Sequence, residues 1–340
     1  MLIGTRRIGC GEPCFVIAEA GVNHNGDLTT AKHMVDAAAT AGVDAVKFQT
    51  FHAESVVSTE ASLAGYQARN TGRTEGQLDM VRRLELAAEA TRELAQYARR
   101  LGITFLSSPF DAHSVDLLDE IGVPAFKIGS GEITNHSLLR HIARKRRPVI
   151  LSTGMASLDE TRAAVEVLRE HADAVCLLHC VSSYPSPVDE CNLRAMLTLS
   201  IEFGCPVGWS DHTVGIHVAL AAVALGAAVV EKHFTLDVRM PGPDHRASLE
   251  PDQLARLVCE IRDVESALGD GVKRRTAAEE DVLVAARRSL HAARDLPQGH
   301  VLTENDLVAL RPGTGISPAR LDELLRSEEH TSELQSLLII

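Results

Sequence analysis

The 340-residue sequence has no long uncharged apolar run. No window approaches the roughly 18 apolar residues of a membrane span. Arg6 and Arg7 stand near the N-terminus, but no apolar stretch of signal-peptide length follows them. We therefore expect a cytoplasmic protein with no membrane partner.

Positive charge is scarce, and paired cysteine motifs are absent. Lys and Arg total 34 against 46 for Asp and Glu, a net charge of −12, and no basic stripe predicts a nucleic-acid partner. The seven cysteines include no C-x-x-C pair, which favours reduced thiols over disulfides or a zinc site. Composition predicts a globular protein but gives no function.

Short apolar runs rich in β-branched residues alternate with amphipathic stretches. They predict eight strands, at 15–21, 45–50, 103–110, 125–132, 148–155, 174–180, 205–213 and 229–235. A helix is expected after each strand, with N-terminal signals such as Asp27 and Ser157. This alternation predicts an α/β fold, a (β/α)8 TIM barrel. No G-x-G-x-x-G fingerprint follows the first strand, which argues against an open doubly wound sheet.

Four segments are expected along the chain. Residues 1–270 form the barrel, 271–287 a linker helix, and 288–326 a small second domain of short strands and turns. Within the barrel, 51–84 is a polar insertion too long for a simple loop, and such insertions tend to be functional. The final segment, 327–340, has no clear relation to what precedes it and is expected to be a non-native tail.

Polar residues collect at the carboxyl ends of the predicted strands, where barrel active sites lie. His212 and His233 end consecutive strands, and as a pair beside Glu231 they favour a metal site over two core histidines. Lys47 and Lys127, with nearby serine hydroxyls, are consistent with an anion cradle. A structural network of these lysines with Glu19 and Glu132 explains them equally well.

A series of motifs in fixed order resembles the sialic acid synthase family, the N-acetylneuraminate synthases. The motifs are IAEAGVNHNGD, KFQT, SSPF, FKIGSGE, LSTGM, HCVSSYP, GWSDHT, EKHFT and PGPDH. RPGTGIS resembles the antifreeze-protein-like (SAF) domain that follows the barrel in that family. The resemblance spans residues 15–325 and implies a SAF domain that is truncated in this chain.

The resemblance implies condensation of phosphoenolpyruvate (PEP) with an N-acetylmannosamine-type aldehyde, releasing phosphate. It implies a divalent cation, usually Mn²⁺ with Mg²⁺ or Co²⁺ as alternatives, held by His212 and His233. Glu132 would be the base, with Glu19 second. The residues expected to hold PEP are Lys47, Ser108, Lys127, Ser130, Ser152, Ser182 and Ser210. Those expected to face the sugar are Gln49, Asn70, Tyr184, Asp244 and Arg311.

Arg311 would reach the sugar from the partner subunit of a domain-swapped homodimer. One alternative is a legionaminic acid synthase, which would perform the same chemistry on a 2,4-diacetamido-6-deoxymannose. Residues 70–86 resemble the branch of the family whose substrate is N-acetylmannosamine or this diacetamido sugar. Another PEP–aldose condensing enzyme would need a further basic pocket for a sugar phosphate. A non-catalytic carbohydrate-binding or ice-interacting protein would not require charged groups inside a barrel.

Overall fold

The computed structural model describes residues 1–63, 65–71, 76–297 and 299–326. The chain forms two compact units, Met1–Gly269 and a second unit that starts at Asp270. All seven cysteines are free. No helix among the described residues is long and apolar enough to cross a membrane. The expected tail, 327–340, lies outside the described residues.

Eight parallel strands form the sheet of the first unit. They are β1 Phe15–Gly21, β2 Ala45–Thr50, β3 Thr104–Pro109, β4 Phe126–Ile128, β5 Val149–Ser152, β6 Val175–Cys180, β7 Val207–Asp211 and β8 Val229–His233. Their order is β3-β2-β1-β8-β7-β6-β5-β4, so β8 pairs with β1 and places His233 opposite Glu19. β3 and β4, at the two ends of this order, lie side by side. The sheet is a nearly closed (β/α)8 barrel, which confirms the predicted fold.

A helix follows each strand and covers the barrel. These helices are α1 Leu28–Ala41, α2 Ala88–Arg100, α3 Ala112–Ile121, α4 His136–Ala143, α5 Leu158–Arg169, α6 Ala195–Phe203, α7 His217–Ala224 and α8 Pro251–Leu268. The Asp27 side chain accepts a hydrogen bond from Thr30 N and starts α1. Ser157 starts α5 in a capping box with Glu160. The helices bury their apolar faces against the outside of the sheet.

The inside of the barrel is apolar at its amino-terminal end. Phe15, Ile17, Leu106 and Leu178 form a buried cluster there, together with Ile3 from a short antiparallel pair, Leu2–Ile3 with Arg6–Arg7. This packing closes one end of the barrel. Polar and charged side chains are therefore left to the carboxyl end.

The insertion after β2 contains three short helices, Ala53–Val56, Gly65–Thr71 and Gln77–Leu84. Met80 and Leu84 are buried against Val22 and Phe51 in a separate apolar cluster. The insertion is thus packed onto the end of the barrel where the strands terminate.

The second unit contains an antiparallel pair, β9 Ser289–Ala292 and β10 Leu307–Leu310. It also contains two short helices, Glu280–Ala286 and Leu321–Arg326. Leu290, Ile316 and Leu324 form its small core.

Candidate active site

A cavity of about 540 Å³ lies at the carboxyl ends of the barrel strands. All but three of the residues to which the family resemblance assigned roles line it. These lining residues are Glu19, Lys47, Gln49, Ser108, Lys127, Ser130, Ser152, Ser182, Tyr184, Ser210, His212, His233 and Asp244. The strand ends thus bring together side chains that are far apart in the sequence.

A buried lysine–carboxylate cluster forms the floor of the cavity. Lys47 Nζ lies 2.5 Å from Glu19 Oε2 and 3.8 Å from Glu231 Oε2, and Lys127 Nζ lies 3.4 Å from Glu231 Oε1. Glu231 is therefore placed between the two lysines. Buried charges require such partners, because an isolated ion loses its hydration on burial.

Serine hydroxyls surround this cluster. Lys47 Nζ donates to Ser108 Oγ at 3.2 Å and Lys127 Nζ donates to Ser152 Oγ at 2.7 Å. Ser210 Oγ donates to Glu231 Oε1 at 3.0 Å. The sequence left open whether these lysines form an anion cradle or a structural network with carboxylates. The two interpretations are compatible, since the lysines that pair with carboxylates also line a cavity that contains hydroxyl groups.

The two central carboxyl groups have opposite pKa shifts. Burial raises the pKa of Glu19 to about 7, against the opposing charge of Lys47. Burial also favours protonation of Glu231, but the charges of Lys127 and Lys47 outweigh it and lower its pKa to about 2. The two lysines therefore favour the ionised form of Glu231, and burial makes Glu19 the carboxyl that is more readily protonated.

A second group of polar side chains surrounds Gly154, which follows β5. The Gly154 N–H donates to Ser130 Oγ at 2.9 Å, and Ser130 Oγ lies 3.2 Å from Cys180 Sγ. A Cβ at position 154 would lie 2.3 Å from Ser182 Oγ and 2.8 Å from Cys180 Sγ. Only glycine therefore lets the two hydroxyls and the thiol approach the backbone so closely, forming a compact cradle of polar groups.

His212 and His233 lie together at the rim, with ring centroids 5.4 Å apart and the Tyr184 ring 4.3 Å from that of His212. Burial lowers the pKa of His212 to about 4 and that of His233 well below its ordinary value, so both imidazoles are neutral. His212 Nδ1 donates to Val181 O at 2.7 Å, which leaves its Nε2 lone pair available.

The donor set of this pair fits a divalent cation. His233 Nδ1 is buried and has no hydrogen-bond partner among the described residues. Within the same part of the chain, no cluster of three or more His, Cys, Asp or Glu residues has a metal-binding arrangement. A cation held here would take its other ligands from water or substrate, as catalytic sites with open positions do.

The structure corrects the place expected for Glu132. The predicted strand 125–132 ends at Ile128, and Ser130–Glu132 forms a 3-10 turn. The turn takes Glu132 out of the cavity lining, and its Oε2 accepts a hydrogen bond from Asn135 Nδ2 at 2.8 Å. Among the two carboxylates expected to act as the base, Glu19 lines the cavity and Glu132 does not.

Two other expected sugar ligands also lie outside the cavity lining. Asn70 Nδ2 donates to Pro243 O at 2.6 Å, so the Asn70 side chain is engaged with the backbone. Arg311 is exposed and belongs to the second unit, directly after β10. Its expected reach into a partner's site stays a prediction.

Sequence reasoning assigned no role to several residues that shape the cavity. Glu231 was mentioned only as a neighbour of the histidine pair. It precedes His233 by two residues on β8, so both side chains lie on the same face of the strand. The apolar wall contributed by the insertion was also missed. It comprises Val56, Val57, Met80, Val81 and Leu84. Sequence spacing gave no signal for this wall because its residues belong to irregular short helices.

Comparisons with known proteins agree with the fold and the motifs. A model of the NeuB family matches residues 34–273, and a model of the SAF domain matches residues 287–328. An N,N'-diacetyllegionaminic acid synthase of Campylobacter jejuni is 50% identical over 313 residues, covering 91% of this chain and 94% of that protein. A protein of the same name from Legionella pneumophila is 46% identical over 329 residues, covering 95% and 92%.

Among solved structures, the N-acetylneuraminic acid (sialic acid) synthetase of Leptospira borgpetersenii has a TM-score of 0.73 at 37% identity. The match covers 83% of this chain and 94% of that one. The two family models together match the barrel and the SAF segment that the motifs predicted. The chain therefore belongs to the NeuB family of sialic acid synthases.

Proposed function

We propose that this protein condenses PEP with a 2,4-diacetamido-6-deoxymannose to give a diacetylated nonulosonic acid of the legionaminic type and phosphate. The observation that carries the proposal is the cavity itself. It combines a floor of two buried lysines and serine hydroxyls with an apolar wall from the insertion.

PEP suits the floor because it carries a carboxylate and a phosphate. Lys47 and Lys127 supply compact positive charge, and the hydroxyls of Ser108, Ser152 and Ser210 supply directional donors. The cradle around Gly154 offers further polar groups within the same cavity. The binding roles of these residues are part of the proposal.

His212 and His233 would hold a divalent cation, which we expect to be Mn²⁺. When bound, the cation would polarise the carbonyl oxygen of the sugar aldehyde. Tyr184 packs against both imidazoles and restricts their orientation.

The chemistry requires one carbon–carbon bond and one hydrolytic step. C3 of PEP bonds to the aldehyde carbon while the aldehyde oxygen gains a proton. Water loses a proton and adds to C2. Phosphate then leaves with the C2–O bonding pair and takes the proton of the new C2 hydroxyl, which yields a 2-keto acid. Glu19 is the carboxylate placed to accept the proton from water, because it lines the cavity beside Lys47 and Gln49.

The apolar wall favours the diacetamido-6-deoxy sugar over N-acetylmannosamine. That sugar has a second acetamido methyl group and a C6 methyl in place of a hydroxymethyl. Val56, Met80, Val81 and Leu84 offer it apolar surface. Among the described lining residues, the only Lys or Arg side chains are Lys47 and Lys127, both assigned above to PEP, so none remains to bind a sugar phosphate.

A substrate panel tests this function. Phosphate release from PEP is measured with the diacetamido sugar, N-acetylmannosamine and its 6-phosphate, with and without EDTA. We expect kcat/KM to be at least about tenfold higher for the diacetamido sugar, the selectivity that extra methyl contacts provide. Turnover should stop in EDTA and return with Mn²⁺. Equal or greater turnover of either other sugar would contradict the choice of acceptor.

Metal binding has a readout independent of turnover. Titration of Mn²⁺ into metal-free protein, followed by electron paramagnetic resonance of the free ion, should show one site per chain. His233→Ala should abolish that site, whereas His141→Ala, at an exposed ion pair with Asp116, should retain it. Retention of the site in His233→Ala would place the metal elsewhere.

A further inference from the structure

The loop after β8 carries a carboxylate into the cavity. We call residues 234–249 the Asp244 loop. Both ends of this loop are fastened next to His233, because Thr235 N donates to Leu249 O at 2.8 Å and Leu249 N donates to His233 O at 2.9 Å. Between these ends, Pro243 and Asp244 line the cavity. The shape of the loop therefore sets the position of the Asp244 carboxylate.

Within the described part of the chain, the hydrogen bonds of Asp244 are made by its backbone and not by its carboxylate. Among the described residues, none donates a hydrogen bond to its carboxylate, and burial raises its pKa to about 6. Its backbone carbonyl, in contrast, accepts hydrogen bonds from Ser248 Oγ at 2.7 Å and Ala247 N at 3.1 Å. The orientation of the carboxylate thus depends on what fixes the backbone around it.

His245, the next residue, is fully buried and bridges two segments of chain. Its Nδ1 lies 2.6 Å from Thr235 Oγ1, and its Nε2 lies 3.4 Å from Asn25 Nδ2. Each ring nitrogen of His245 therefore contacts a different segment, the Thr235 hydroxyl on one side and the Asn25 side chain on the other.

The loop is wrapped closely around this imidazole. A Cβ at Gly242 would lie 2.6 Å from His245 Cδ2 and 3.0 Å from Asn25 Oδ1, so only glycine permits the approach. Asn25 itself has a φ of 54°, a left-handed conformation that asparagine tolerates better than most residues. The contact is therefore built into the backbone of both segments.

Two further amides hold the Asp244 loop from other sides. Asn23 Nδ2 donates to Phe234 O at 2.9 Å and to Ser248 Oγ at 3.0 Å. Asn70 Nδ2, from the insertion, donates to Pro243 O at 2.6 Å. Asn70 thus anchors the residue directly before Asp244, and Asn23 holds the loop near its two ends.

We propose that Thr235, His245 and Asn25 form a latch that positions the Asp244 carboxylate to bind hydroxyl groups of the acceptor sugar. This inference rests on the proposed function, because it assigns Asp244 to the sugar rather than to PEP. The three residues are positioning residues, since they act on the substrate only through Asp244. Loss of the latch should therefore weaken sugar binding and leave PEP binding in place.

Thr235→Val tests the latch with little change of shape, and Thr235→Ser is the matched control that keeps the hydroxyl. Thr235→Val removes the hydroxyl that contacts His245 Nδ1 and that also bonds to Asp237 N and O, and we expect KM for the sugar to rise about tenfold. KM for PEP should stay within about twofold. Asp244→Asn should show the same selective loss, and Thr235→Ser should resemble the wild type. Asn25→Gly, which accommodates the positive φ, should repeat the effect.

Hydrogen exchange gives a readout that needs no substrate. Peptides covering 236–248 should exchange faster in Thr235→Val than in the wild type or Thr235→Ser, while β1 and β8 stay equally protected. Equal exchange in all three proteins would overturn the latch. So would a parallel rise of both KM values, or an unchanged sugar KM in an active Thr235→Val enzyme. A wild type that consumes PEP with no sugar would instead refute the proposed function, and the exchange result would still decide the latch.

Discussion

Glu19 and Glu132 show how one backbone turn changes the assignment of a catalytic base. Both carboxylates lie in the carboxyl-terminal half of a predicted strand, and the motif FKIGSGE ends with Glu132. In the structure the chain leaves β4 at Ile128, and Glu132 bonds to Asn135 instead of lining the cavity. Glu19 stays on β1, bonded to Lys47.

The two carboxylates can be compared by matched amide substitutions. Glu19→Gln should lower kcat by about a hundredfold or more, the usual cost of losing a general base. Glu132→Gln keeps its hydrogen-bonding shape beside Asn135 and should lower kcat by less than about tenfold. Steady-state kinetics with PEP and the diacetamido sugar checks both. A larger loss in Glu132→Gln than in Glu19→Gln would restore Glu132 as the base.

Regular elements were predictable from local signals, whereas the ends of the strands were not. Asp27 predicted the start of α1, and the strands 15–21 and 45–50 have the bounds expected from their apolar runs. The run 125–132 was predicted too long, because the hydrogen bonds between β4 and β5 stop at Ile128. Sequence spacing cannot show at which residue the pairing between two strands ends. That residue determines which of the following side chains line the cavity.

A buried ion pair joins β7 and β8 next to the histidine pair. Lys232 Nζ donates to Asp211 Oδ2 at 2.9 Å, and both side chains are fully buried. Asp211 Oδ1 accepts from Thr213 N at 2.9 Å and Thr213 Oγ1 at 2.8 Å. Asp211 and Lys232 directly precede His212 and His233, so the pair fixes the two strand ends that carry the imidazoles.

Substitution of one residue of the Lys232–Asp211 pair should destabilise the fold more than substitution of both. Lys232→Met leaves Asp211 as an unpaired buried charge and should lower the free energy of unfolding by about 3–5 kcal/mol. Lys232→Met combined with Asp211→Leu should recover part of that loss. Urea unfolding followed by circular dichroism measures both variants. A single substitution that costs less than about 1 kcal/mol would show that the pair is not what holds these strands.

The second unit should be sensitive to acid. In the second unit, the buried Asp306 carboxylate accepts hydrogen bonds from His300 Nε2, Thr303 N and Oγ1, and Arg294. Its pKa is lowered, first by His300 and then by Thr303 and Arg294. A lowered folded-state pKa means that this stabilisation is fully present above the unfolded value of about 3.9 and is lost as the pH falls below it.

Acidification from about pH 5 to pH 3 should therefore loosen the second unit through Asp306. Hydrogen exchange of peptides from 289–310 should accelerate over this range in the wild type. In Asp306→Asn the same peptides should already exchange faster at pH 5 and should change less on acidification. An identical pH response in both proteins would mean that another group controls the acid stability of this unit.

The charged floor and the apolar wall of the cavity belong to different parts of the chain, and this separation affects how such enzymes diversify. Lys47, Lys127 and Glu231 lie on strands whose positions are fixed by the whole sheet. Met80, Val81 and Leu84 lie on a short helix of an inserted segment. Substitutions in that segment can alter the shape offered to a sugar without disturbing the groups proposed to bind PEP. A lineage can thus acquire a new acceptor preference by changing one short stretch of its gene, while the charged strand ends are inherited unchanged.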